Sequence, residues 1–197
     1  LLAMYGPQEI KKNENPKLHE MVEKLCKEAK ISKPKIYRIN LPVPNAFATG
    51  RSAKHAAIAV SEALLKSLKE DEVEGVLAHE ISHIKNKDML IATLAATIAG
   101  AIAYIAQIAW YSFFFSERRN ENLLFLPLLL LAPLAATLIR LAITRNEEFK
   151  ADRDGALISK KPLALASALE KISKITEVNP IQGNAATSHL FIVNPFK

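Results

Sequence analysis

Apolar and polar positions change their rhythm several times along this chain. Leu18, Met21, Val22, Leu25 and Ala29 recur at helical spacing among lysines and glutamates, so residues 14–30 read as an amphipathic helix. Pro34 ends it, and residues 35–39 form a short strand. Residues 42–45 are a turn, 46–50 a second extended piece, and 55–60 a third strand of small apolar residues. Ser61 caps a short helix over 62–69, and a further helical stretch covers 71–87. The pattern then alters completely. Residues 89–115 carry no charge, and only Thr93, Thr97, Gln107 and Ser112 are clearly polar. A helix of that length exceeds the roughly 30 Å of a hydrocarbon core, and Trp110 and Tyr111 near its far end suit an interfacial aromatic belt. A second apolar run, 123–142, contains Pro127 and Pro133, which should kink it, and Arg140, which can snorkel to the interface. The polar residues 116–122 lie between the runs. Two such runs predict a helical membrane hairpin, because a buried hairpin would need a larger domain to cover it. Residues 144–152 open an amphipathic helix, 162–175 form another, and the chain after Pro180 is loop-like.

The expected fold class is therefore α+β, mostly α, with a small sheet and an inserted two-helix transmembrane hairpin. Residues 1–88 and 144–197 make one domain around the insertion at 89–143. Two crossings return the chain to the side it left, so residues on either flank can share a site. The chain opens on Leu1 without a signal-peptide pattern and ends without a closing helix, which reads as truncation at both ends.

Charge refines this picture. The net charge of +6 is spread over both flanks with no dense basic stripe, which argues against nucleic acid as a partner. A mild basic excess beside apolar segments fits the cytoplasmic side of a lipid bilayer. The lone cysteine, Cys26, forms no internal disulfide and reads as a buried apolar residue.

The chemistry lies in His79-Glu80-Ile81-Ser82-His83. Histidines four apart on a helix project from one face and can grip a zinc ion, while the glutamate between them can act as general base. Chance produces this pattern in roughly one chain in a hundred of this composition. A catalytic zinc usually takes three protein ligands. His19, His55, His189 and the carboxylates of residues 147–154 are candidates for the third. Glu148 and Asp152 are four apart, so one can ligate while the other orients a histidine. Spacing alone does not choose between Glu147 and Glu148.

Residues 76–88 resemble the metal helix of the HtpX family of membrane-embedded zinc metallopeptidases. Residues 42–50 resemble the family's segment ahead of that helix, 145–152 its third-ligand motif, and 189–195 its C-terminal stretch. The resemblance covers most of residues 5–197, with the motifs in the family's order around a hairpin. It implies a zincin-like peptidase domain holding one zinc ion per chain, with His79, His83 and Glu148 as ligands, Glu80 as base and Asp152 behind a ligand histidine. It also implies two membrane spans before Leu1 and a histidine- and proline-rich segment with a final helix after Lys197. Its activity would be quality-control cleavage of misfolded or unfolded membrane proteins at the cytoplasmic face of a multi-pass protein of the cell membrane.

Within that reading, zinc activates a water and polarises the scissile carbonyl, and Glu80 moves the proton to the leaving amine. His189 is a candidate donor to the oxyanion. Asn45, Ala46, Phe47 and Ala48 offer an edge strand to which an extended protein substrate can pair. Two other readings compete. A prenyl-protein endopeptidase of the CAAX-processing kind would need many more spans to enclose a chamber, and a non-catalytic adaptor with a structural zinc would have no use for Glu80.

Overall fold

The computed structural model describes residues 5–50, 52, 55–115, 126–180 and 191–193. It is mostly helical around a small mixed sheet, an α+β arrangement. In chain order the elements are β1 (Gln8–Glu9), α1 (Pro16–Ala29), β2 (Lys35–Ile39), β3 (Ala46–Thr49), β4 (Ala57–Ser61), α2 (Glu62–Ser67), α3 (Glu70–Asn86), α4 (Asp88–Phe115), α5 (Leu126–Ser159) and α6 (Pro162–Val178). The chain forms two compact units, Leu1–Met89 with Phe149–Lys197, and Leu90–Glu148.

In the first unit the strand order is β1-β2-β4-β3. The parallel pair β2/β4 lies in the middle, and β1 and β3 run antiparallel at the two edges. The two residues of β1 carry no apolar alternation and could not be foreseen. α1 starts where Asn15 Oδ1 accepts a hydrogen bond from Leu18 N (3.1 Å) and Pro16 fills the first turn. It buries Leu18, Val22, Leu25, Cys26 and Ala29, and burial pushes the Cys26 thiol up to about 11. Ser61 Oγ caps α2 by accepting from Leu64 N at 3.1 Å.

α3 is the centre of this unit, in contact with α1, α6 and β3. Val76, Leu77, Ile81 and Ile84 are fully buried among Val22, Leu25, Ile58, Val60, Leu64 and Ile172. A helix covered on all sides must pair its polar residues. Glu72 accepts from Lys171 Nζ and Ser167 Oγ on α6, each at 2.7 Å, and from Lys69 N at 2.8 Å. Glu74 accepts from Lys24 of α1 (2.8 Å) and from Lys161 (2.7 Å), which also pairs with Asp71. At Gly75 an added Cβ would lie 2.7 Å from Leu165 N, so the backbone of α6 rests directly on α3.

The Lys171 hydrogen bond holds the Glu72 carboxyl at about 2, against an ordinary 4.5, despite burial. A carboxyl lowered in the folded state stabilises the fold above its unfolded pKa and loses that contribution as pH falls through the folded one. Thermal midpoints should therefore drop as pH falls from 4.5 towards about 2. In a Lys171→Met variant this part of the acid limb should shrink; an unchanged limb would show that the pair does not link pH to stability.

In the second unit, α4 is the one helix among the described residues long and apolar enough to cross a membrane, with a mean hydropathy of 2.1 over Asp88–Tyr111. Leu94, Tyr104 and Ile105 are among its exposed apolar side chains. The loop expected at 116–122 lies outside the described residues. The second apolar run is helical from Leu126, but it does not stop at 143. α5 continues for 34 residues to Ser159, because no glycine or proline interrupts residues 134–154. Pro133 sits inside it without ending it. Thr97, Thr137 and Thr144 each donate to the carbonyl four residues back, at 2.8, 2.8 and 3.1 Å, so their hydroxyls are satisfied within their own helices.

Candidate metal centre

His79 and His83 lie one turn apart on α3. Their rings meet edge to face, and their Nε2 atoms approach to 3.1 Å. Each ring's other nitrogen faces a carboxylate: His79 Nδ1 is 3.0 Å from Asp152 Oδ1, and His83 Nδ1 is 2.8 Å from Asp88 Oδ2. The Asp88 carboxylate can only accept from His83 Nδ1–H, which leaves the Nε2 lone pair of His83 available. With His79 likewise protonated on Nδ1, towards Asp152, the two lone pairs converge and a cation can accept both. Two zinc–nitrogen bonds of about 2.0–2.1 Å at a tetrahedral angle would set the nitrogens roughly 3.3 Å apart, close to the observed spacing.

The third donor comes from α5. Glu148 offers a carboxylate oxygen within 4.8 Å of the donor atoms of His79 and His83, so these three can hold a metal ion. It stands one residue before Phe149 and one turn before Asp152 on an uninterrupted helix. Glu147, the alternative left open by spacing, is buried and is not in this group. His19 and His55 are not in it either: His19 Nε2 donates to Ile10 O (2.8 Å), and His55 Nδ1 lies 3.0 Å from Ser52 Oγ. The donor set His, His, Glu is that of a catalytic zinc with one position left for water.

Backbone contact fixes how α5 meets α3. A Cβ on Gly155 would lie 3.0 Å from His79 N and 3.1 Å from His79 Cα, so a side chain there would need the two backbones to separate by a few tenths of an ångström. Nearby, buried Asp154 accepts from Asn86 Nδ2 (3.3 Å) and pairs with Lys85 (3.7 Å), both at the end of α3. Burial pushes the Asp154 carboxyl up, but the hydrogen bonds from Arg153 and Asn86 and the Lys85 charge together hold it below its ordinary value.

These observations meet two comparisons with known proteins. A family model described as peptidase family M48 matches residues 12–194. The chain belongs to peptidase family M48. Within that family it belongs with the HtpX proteases. A protease HtpX homolog of Pyrococcus furiosus is 51% identical over the whole of this chain and 70% of its own length. Those of Methanocaldococcus jannaschii (47%, 72% of its length) and Aquifex aeolicus (46%, 68% of its length) also align over all of this chain. The protein is thus a metallopeptidase.

Glu80, between the two histidines of this metallopeptidase, is buried, and its Oε2 accepts a hydrogen bond from Ala48 N at 2.7 Å. An amide that points at Glu80 points away from β4. Ser61 N in turn donates to Asn45 O (2.8 Å), so residues 45, 47 and 49 face the ladder while 46 and 48 face outward. Of the expected substrate strand, Ala46 and Ala48 therefore present their main chain at the sheet edge. The Phe47 side chain packs with Ile39 and Ala59 and meets the Tyr5 ring at 6.1 Å. Asn45 is buried; its N–H donates to Ser61 Oγ (2.9 Å), and its Oδ1 accepts from Ile192 N (3.0 Å), tethering the segment at 191–193. His189 lies outside the described residues.

Two contacts were not foreseen. The amide of Ala48 on Glu80 depends on strand alternation at the edge, which carries no side-chain signal. Asp88 stood only as the last charged residue before the apolar run, and that position five residues after His83 was the available hint.

Proposed function

We propose that this protein is a zinc-dependent endopeptidase of the membrane that hydrolyses misfolded or unfolded membrane proteins at the cytoplasmic face. The observation that carries the reading is the convergence of His79, His83 and Glu148 beside a buried glutamate. When bound, zinc would supply Lewis-acid polarisation of the scissile carbonyl and would acidify a water. Glu80 would be the group that accepts a proton from the attacking water and passes it to the leaving amine. The Ala48 amide holds the Glu80 carboxylate in place while this happens. An extended substrate pairs with the outward main chain of Ala46 and with the Ala48 carbonyl, a mode that requires an unfolded stretch and reads little sequence.

The membrane placement rests on the apolar α4 and on the apolar first part of α5, which we read together as a two-helix hairpin inserted into a zincin-like domain. The basic flanks support a site on the cytoplasmic side of a multi-pass protein of the cell membrane. His189 is retained as the candidate oxyanion donor.

The test is cleavage by the detergent-solubilised protein of unfolded casein, native folded casein-sized controls and a prenylated C-terminal peptide. We expect cleavage of casein alone, loss of it on zinc chelation, and recovery when zinc is returned. Cleavage of the prenylated peptide without casein would replace this reading with a CAAX-type one. Zinc binding without any cleavage would point to a structural site.

A further inference from the structure

We propose that Asp88 is the positioning residue for the ligand His83, and that it makes the first residue of the apolar helix part of the metal centre. This rests on the zinc reading above and deepens it.

The two carboxylates behind the ligand histidines differ in their surroundings. The Asp152 side chain is 55% exposed, whereas that of Asp88 is 6% exposed. A shielded carboxylate acts on its partner through a lower effective dielectric than a solvated one. It also has the shorter contact, 2.8 Å against 3.0 Å. A buried carboxylate needs a partner to offset its lost hydration, and His83 Nδ1 stands at that partner's distance. The exchange fixes the His83 tautomer and makes Nε2 the better donor to a metal.

Local backbone geometry makes the contact possible. Lys87 caps α3 in the left-handed conformation (φ 61°), and its N–H turns back to His83 O and Ile84 O. That tight reversal brings the next residue, Asp88, back beside the histidine it follows by five. Asp88 is also the first residue of α4. One side chain thus orients a metal ligand and opens the apolar helix, with no spacer between the two tasks.

The test compares the full chain with Asp88→Asn and Asp88→Ala in detergent. Zinc affinity is measured by competition with a chelator of known strength, and the visible spectrum of the cobalt-loaded protein reports the ligand geometry. Thermal midpoints are taken on zinc-free protein. We expect Asp88→Ala to bind zinc about 10–100-fold more weakly and to change the cobalt bands. Asp88→Asn, whose amide oxygen still accepts from Nδ1–H, should recover part of the affinity. A merely structural residue would lower zinc-free midpoints and leave affinity and cobalt bands unchanged; that result overturns the proposal while the zinc reading stands. Failure of the parent to bind zinc overturns both. If Asp88→Ala does not fold, Asp88→Asn decides: affinity equal to the parent's would overturn the assignment.

Discussion

Glu80→Gln is expected to lower peptide cleavage by about 10²–10⁴-fold, the usual contribution of a general base, with little change in bound zinc or thermal midpoint. The substitution separates chemistry from architecture. Glutamine has the same shape, and its amide oxygen can still accept the hydrogen bond that Ala48 N now gives to Glu80 Oε2. Its nitrogen cannot take a proton from water. The three metal donors are untouched, because Glu80 is not among them. Cleavage of unfolded casein and zinc content, measured on the same preparations, check both halves of the expectation. Activity within tenfold of the parent would remove Glu80 from the chemistry. Loss of zinc together with activity would mean that Glu80 holds the metal centre together instead.

Gly155→Ala should damage the centre from a residue that carries no chemistry. A methyl group there meets the backbone of His79 at 3.0–3.1 Å, and backbone has no flexible end that can move aside. The two backbones must separate by a few tenths of an ångström, and Glu148 and Asp152 shift with α5 because they ride on the same helix. We expect a stability loss of about 1–3 kcal/mol, as for other overpacked positions, and zinc binding weakened at least about tenfold, as when the shell behind a ligand is disturbed. Gly100→Ala is the control. Nothing lies within 4 Å of a Cβ at Gly100, so alanine there should be neutral or stabilising through helix propensity. Chemical unfolding and zinc competition on the two variants decide the matter. Equal behaviour of both would show that α5 does not depend on the glycine to reach α3.

The site was legible to the extent that its geometry is local. His79, Glu80 and His83 are set by the pitch of one helix, so their spacing in sequence is their spacing in space. Glu148 and Asp152 share a face for the same reason, but which of two adjacent glutamates would face the histidines depends on how α5 is rotated. Spacing does not encode that rotation, and the family likeness had to supply it. Asp88 depends on a left-handed lysine at a helix end, where the usual mark would be glycine. The elements were largely visible from periodicity, with two exceptions. β1 is too short to show a period, and the helical stretch at 144–152 is not an element of its own but the end of α5. A change from apolar to amphipathic composition marks a change of surroundings, and a helix can pass through one without breaking.

Lys87 is not alone in its conformation. Among the described residues Lys30 and Lys160 also have positive φ, 59° and 58°, making three lysines there where a side chain costs about 1–2 kcal/mol of backbone strain. All three are exposed, and the ion pair of Lys160 with Glu28, at 3.5 Å, is too solvated to offset much of that cost. The fold therefore stands below the stability its own backbone would permit. Two of the three positions, Lys30 and Lys160, lie outside the residues that form the metal centre. They form a reserve from which a hardier version of this metallopeptidase can be made without touching a ligand, the base or the strand beside it.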